Sequence, residues 1–88
     1  MSYVIIIMVI KMKYELWKIQ GDCPGVINKV YPTLEQAQKN MIQNYTRYLR
    51  ELKKSAEIIE NYIEDKKCLI RYKLYNSEDQ WVWEIRES

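Results

Sequence analysis

The sequence predicts an α+β domain of ββαββ order: a four-stranded, mostly antiparallel sheet with one long helix, about 33–66, packed on one face. Two observations lead to this. Leu34, Ala37, Met41, Tyr45, Tyr48, Leu52, Ala56, Ile59 and Ile63 recur at steps of 3, 4, 4, 3, 4, 4, 3 and 4, the spacing of an apolar stripe on a helix. On each side of that stretch two strand-like runs are joined by turn residues, the signature of a hairpin. With 88 residues the chain closes one core, so 1–88 is read as a single domain.

Val4 to Ile10 is an unbroken apolar run with no basic residue before it and no small-residue cleavage site after it. It is far short of the roughly 20 residues that span a bilayer, so neither an export signal nor a membrane anchor is expected. Two readings of residues 1–11 stay open: a buried extension of the first strand, or a non-native segment ahead of a start at Met12. The first strand runs on to Ile19, with Met12, Tyr14 and Leu16 alternating with charged residues. Gln20 to Gly25 holds both glycines and one of the two prolines, a turn that leads into a second strand, Val26 to Tyr31. Pairing Tyr14 with Val30 and Leu16 with Asn28 would set Glu15 opposite Lys29 as an ion pair.

The helix start is written in Thr33-Leu34-Glu35-Gln36. Thr33 suits the N-cap, Gln36 the third position of a capping box, and Glu35 the positive end of the helix dipole. No Gly or Pro interrupts the chain from Leu34 to Lys66, and Lys66 and Lys67 suit a negative C-terminus. Ser55 is the one weak point, where a second, shorter helix could be capped. In the last hairpin Cys68, Ile70, Tyr72 and Leu74 share one face and Leu69, Arg71, Lys73 and Tyr75 the other. A turn at Asn76 to Asp79, with Tyr75 opposite Gln80, would place Leu74 on Trp81, Tyr72 on Trp83, Ile70 on Ile85 and Arg71 on Glu84.

A helix over 33–66 would be roughly 48 Å long, against about 25 Å for a strand of seven or eight residues. The stripe from Leu52 to Ile63 would then overhang the sheet and need cover from another chain. Charge supports a two-fold dimer: Glu35, Lys39, Arg47, Arg50, Glu51, Lys53 and Lys54 sum to +3, whereas Glu57, Glu60, Glu64, Asp65, Lys66 and Lys67 sum to −2. Leu52, Lys53, Lys54, Ile59 and Ile63 are the expected dimer contacts.

Composition narrows the chemistry. Histidine is absent, which removes the commonest general base and the commonest zinc ligand. The helix carboxylates Glu51, Glu57, Glu60, Glu64 and Asp65 read as a solvated face. Cys23 sits in an exposed turn with no imidazole to activate it, and two cysteines cannot fill a tetrahedral metal site. Two glycines are too few for a phosphate cradle, so no nucleotide, metal or other cofactor and no catalysis are expected. Reduced thiols and a cytoplasmic location are the expectation, since no secretory signal accompanies Cys23 and Cys68. A net charge of +2 does not call for a polyanion partner.

Eight Tyr and three Trp with no Phe point instead to a binding surface, because amphipathic aromatics suit half-wet contacts. Tyr72, Trp81 and Trp83 follow the inward pattern and read as core. Tyr31, Tyr62, Tyr75 and Trp17, with Arg71, Lys73 and Arg86, are expected on the sheet face away from the helix. The leading expectation is a non-catalytic protein-binding module acting by surface occlusion, with Tyr75, Arg71, Lys73, Arg47 and Arg50 as its contacts. The alternative is an RNA or single-stranded nucleic-acid binder using a basic aromatic sheet face. Ten Lys, twelve Ile, five Asn and eight Tyr imply AT-rich codons. In its small size and lack of motifs the chain is similar in general type to the inhibitors that phages and mobile elements aim at host defence, including anti-CRISPR proteins.

Overall fold

The computed structural model describes residues 13–87, so both readings of residues 1–11 lie outside the described residues. Strands β1 (Tyr14–Gln20) and β2 (Val26–Tyr31) form the first hairpin and lead into helix α1 (Leu34–Leu52). Strands β3 (Glu57–Ile63), β4 (Lys67–Leu74) and β5 (Ser77–Glu87) complete the chain. All pairings are antiparallel, in the order β2-β1-β5-β4-β3. The class is α+β, but the sheet has five strands and the order is ββαβββ, correcting the expected four strands and ββαββ.

The missing strand is the second half of the expected helix. Thr33 caps the N-terminus as anticipated, its hydroxyl accepting from the Gln36 amide at 3.2 Å, with Glu35 in the first turn. The helix then stops at Leu52, and the chain turns through residues 53–56, the amides of Ser55 and Ala56 both donating to the Leu52 carbonyl. The interruption falls at Ser55, yet the segment beyond it is a strand rather than a second helix. Ile58, Ile59, Tyr62 and Ile63 are β-branched or aromatic, and β4 offers a free edge along which the segment pairs from Glu57 to Ile63. With an inserted residue at Ile59, Ile58 packs onto the core while Ile59 and Ile63 are 37% and 50% exposed. The helical spacing of Ile59 and Ile63 is thus compatible with two structures, and the sheet edge decides between them.

At 19 residues α1 is about 28 Å long and does not outrun the sheet. Its apolar face, Leu34, Ala37, Met41, Tyr45, Tyr48 and Leu52, packs within the same chain. Beneath it lie Leu16, Tyr31, Cys68, Ile70, Tyr72, Trp83 and Ile85, with Trp83 completely buried. Tyr45 and Tyr48 meet Trp83 edge-on, at centroid distances of 6.0 and 5.3 Å.

Both hairpins depart from the expected registers. In β4–β5 a two-residue turn at Tyr75 and Asn76 sets Leu74 opposite Ser77, so Ile70 faces Trp81 and Cys68 faces Trp83. Tyr75 takes a left-handed conformation, φ 57°, to make this turn. Arg71 therefore stands beside Gln80 rather than Glu84, and its ion pair is with Glu60 on β3 at 3.4 Å. In β1–β2, Glu15 faces Val30 and Leu16 faces Lys29, so the expected Glu15–Lys29 pair does not form. The register shifts before Trp17 faces Ile27, leaving Asn28 as the extra residue.

Candidate functional site

One face of the sheet lies under α1 and the other is uncovered by any described element. The cross-strand partners place Ile27, Trp17, Ile19, Val82, Leu69 and Tyr62 on the uncovered face, an apolar band that crosses all five strands. Val82 is buried by its neighbours, whereas Trp17, Ile19, Leu69 and Tyr62 are half-buried and Ile27 is exposed. The loop after β1 borders this band: a Cβ added at Gly25 would lie 2.6 Å from Ile19 Cγ1 and 3.1 Å from Trp17 Cε3. Only glycine lets that backbone approach so closely.

Charges frame the band and largely answer one another. Arg86 Nη2 meets Glu84 at 3.0 Å, and its guanidinium stacks 4.2 Å from the Trp17 ring, while Trp17 Nε1 donates to Glu15 at 3.1 Å. Across the sheet Arg71 meets Glu60, and Lys73 lies between Glu57 and Glu78 in the register. The face therefore sets Lys67, Arg71, Lys73 and Arg86 against Glu15, Glu57, Glu60, Glu78 and Glu84, with no excess of positive charge.

The expected contact residues divide between two places. Arg71 and Lys73 lie on the uncovered face, and Tyr75 stands at the neighbouring hairpin tip, 91% exposed. Arg47 and Arg50 are exposed on α1, on the opposite side of the sheet. Of the aromatics expected on the uncovered face, Trp17 and Tyr62 are there. Tyr31 is not, because the shifted β1–β2 register turns it under the helix, where burial raises its pKa.

The dimer residues are likewise dispersed. Leu52 is packed into its own core, Lys53 and Lys54 occupy the turn after α1, and Ile59 and Ile63 lie on edge strand β3. The overhang that motivated them does not exist. Ile19, Leu69 and Val82 were not named as candidates, because the aromatic and charged residues of that face stand out in the sequence as binding types and its aliphatic ones do not.

The two thiols are unpaired, Cys23 exposed and Cys68 buried. Burial pushes the Cys68 thiol up to about 11, which keeps it protonated and unreactive at neutral pH. Among the described residues no helix is long and apolar enough to cross a membrane. Comparison with protein-family models, with curated proteins and with solved structures finds no match.

Proposed function

We propose that this chain is a non-catalytic protein-binding module that occludes a partner with its uncovered sheet face. The observation that carries the reading is the apolar band from Ile27 to Tyr62, framed by balanced charges of which Arg71 and Arg86 already pair within the chain. An apolar centre inside a polar rim is the anatomy of a protein interface. A nucleic-acid groove needs an excess of cations to neutralise phosphates, and this face has none, which favours a protein over RNA.

Within this reading Arg71, Lys73 and Tyr75 are rim contacts, and Leu69, Ile19 and Trp17 supply the apolar area. Occlusion without chemistry is also the working mode of the small phage and mobile-element inhibitors that the chain resembles in general type, and a host defence protein is the class of target we propose. A homodimer becomes the secondary reading, since α1 is covered within one chain and only exposed Ile59 and Ile63 on β3 still favour a second copy.

The test is affinity capture from a lysate of the source organism, followed by mass spectrometry, with wild type and Leu69→Asp compared. A protein held by wild type and lost from the variant is the expected result. Equal capture by both, or tight binding of single-stranded oligonucleotides that collapses with salt, would sink the reading.

A further inference from the structure

The helix side of the sheet carries a second feature. Helix α1 follows β2 at one edge and feeds β3 at the other, so it crosses the sheet obliquely and leaves one corner open. Trp81 stands at that corner, half-buried, with a groove on each side. One, about 320 Å3, lies against the β1–β2 hairpin and is bordered by Lys18, Val26 and Asn28. The other, about 350 Å3, lies against the end of α1 and is bordered by Arg47, Tyr48 and Leu52.

The cations at this corner differ from Arg71 and Arg86 of the uncovered face, which are held by carboxylates. Lys18 donates to the Tyr48 hydroxyl, and its ammonium sits 4.1 Å from the centre of the Tyr48 ring and 4.8 Å from that of Trp81. Among the described residues neither Lys18, Arg47, Arg50 nor Lys53 meets a carboxylate at salt-bridge distance. Glu51, one turn beyond Arg47, is held by Lys54 at 3.2 Å instead. Lys18 and Arg47 thus border an aromatic floor without a carboxylate partner, and Glu51, the one carboxylate among the described residues lining these grooves, is engaged by Lys54, which leaves both cations open to an anion from outside.

We infer that the Trp81 corner is a second docking site, for an acidic segment of a protein partner with an aliphatic or aromatic anchor. The anchor lies against Trp81, Tyr48 and Leu52, and its flanking carboxylates meet Arg47 and Lys18. A nucleic acid fits less well, because among the described residues Lys18 and Arg47 are the only cations lining the two grooves and Glu51 stands beside them, too few to neutralise a run of phosphates. The site meets the uncovered face only at Ile27, at the edge of the sheet, and shares neither Leu69 nor Trp17 with it, so the two readings can be tested separately.

The test uses the full chain and a fluorescein-labelled octapeptide of Glu and Asp around a central Leu-Phe pair. The comparison probes are the same peptide with Lys for every acidic residue and a twelve-nucleotide oligo(dT). The acidic peptide is expected to bind about ten-fold or more tightly than either, as one or two charge-assisted contacts allow. Arg47→Glu, an exposed substitution, should weaken it about ten-fold, and Lys18→Met should weaken it while keeping the aliphatic stem in place. Leu69→Asp should leave peptide binding unchanged, although it is expected to abolish capture in the lysate experiment. Equal binding of the basic peptide, tighter binding of oligo(dT), or indifference to Arg47→Glu would overturn the inference. Loss of capture in Leu69→Asp alongside such a result would leave the uncovered face standing by itself.

Discussion

The two faces of this sheet are made from the same strands, yet they obey different rules. Under α1 the side chains are apolar or aromatic and nearly inaccessible, with Leu16, Cys68, Ile70 and Trp83 sealed from solvent. On the other side only Val82 is buried among the apolar band, and Arg71 and Arg86 are held by neighbouring carboxylates. The first arrangement gains from removing apolar area from water and loses heavily when atoms are deleted. The second contributes less to folding, since exposed ion pairs are worth about 0–1 kcal/mol and most of its apolar side chains remain partly in water. The stabilising core and the proposed recognition surface thus lie on opposite sides of one sheet, and substitutions should separate them.

The largest separation should come from Trp83→Ala, expected to cost about 3–5 kcal/mol in urea unfolding. Leu69→Ala, one strand away on the opposite face, should cost far less. Equal losses would break the comparison. Gly25→Ala probes the one place where the backbone presses on the uncovered face, and overpacking against Ile19 and Trp17 should cost about 1–3 kcal/mol. A neutral result would show that the loop moves aside.

A subtler signature of the covered face is its response to alkali. Cys68 is raised to about 11 by burial, and Tyr31 and Tyr45 are raised as well, so the unfolded chain releases these protons at lower pH than the folded one. Stability is therefore full below about pH 9 and declines as pH rises towards 11, and Cys68→Ala should flatten part of that decline in unfolding curves measured at several pH values. Glu60→Gln should have the smallest effect, under about 1 kcal/mol, because its ion pair with Arg71 is half in water.

How much of this could be read from the residues depends on which ambiguity each segment carried. The cap at Thr33 and the stripe from Leu34 to Leu52 were legible because polar and apolar positions there fit only a helix. Beyond Leu52, the residues fit a helix by spacing and a strand by type, and the deciding factor is the free edge of β4, which local pattern does not display. The β4–β5 register slipped by an even number of positions, so Tyr72, Trp81, Trp83 and Ile85 kept their faces and alternation could not register the error. The shift at Asn28 acts the other way, moving Tyr31 from the surface into the core. Of the candidate contacts, Arg71, Lys73, Trp17 and Tyr62 were placed on the right face, but the cations about Trp81 come from elements distant in sequence and were invisible as a group.

The inserted residues Asn28 and Ile59 have a consequence for life at high concentration. They sit in the two outermost strands, one on each rim, and a kinked rim cannot template a further strand over its full length. The described strands thus present an oily flat surface between two kinked borders, a geometry that disfavours side-by-side stacking into fibrils.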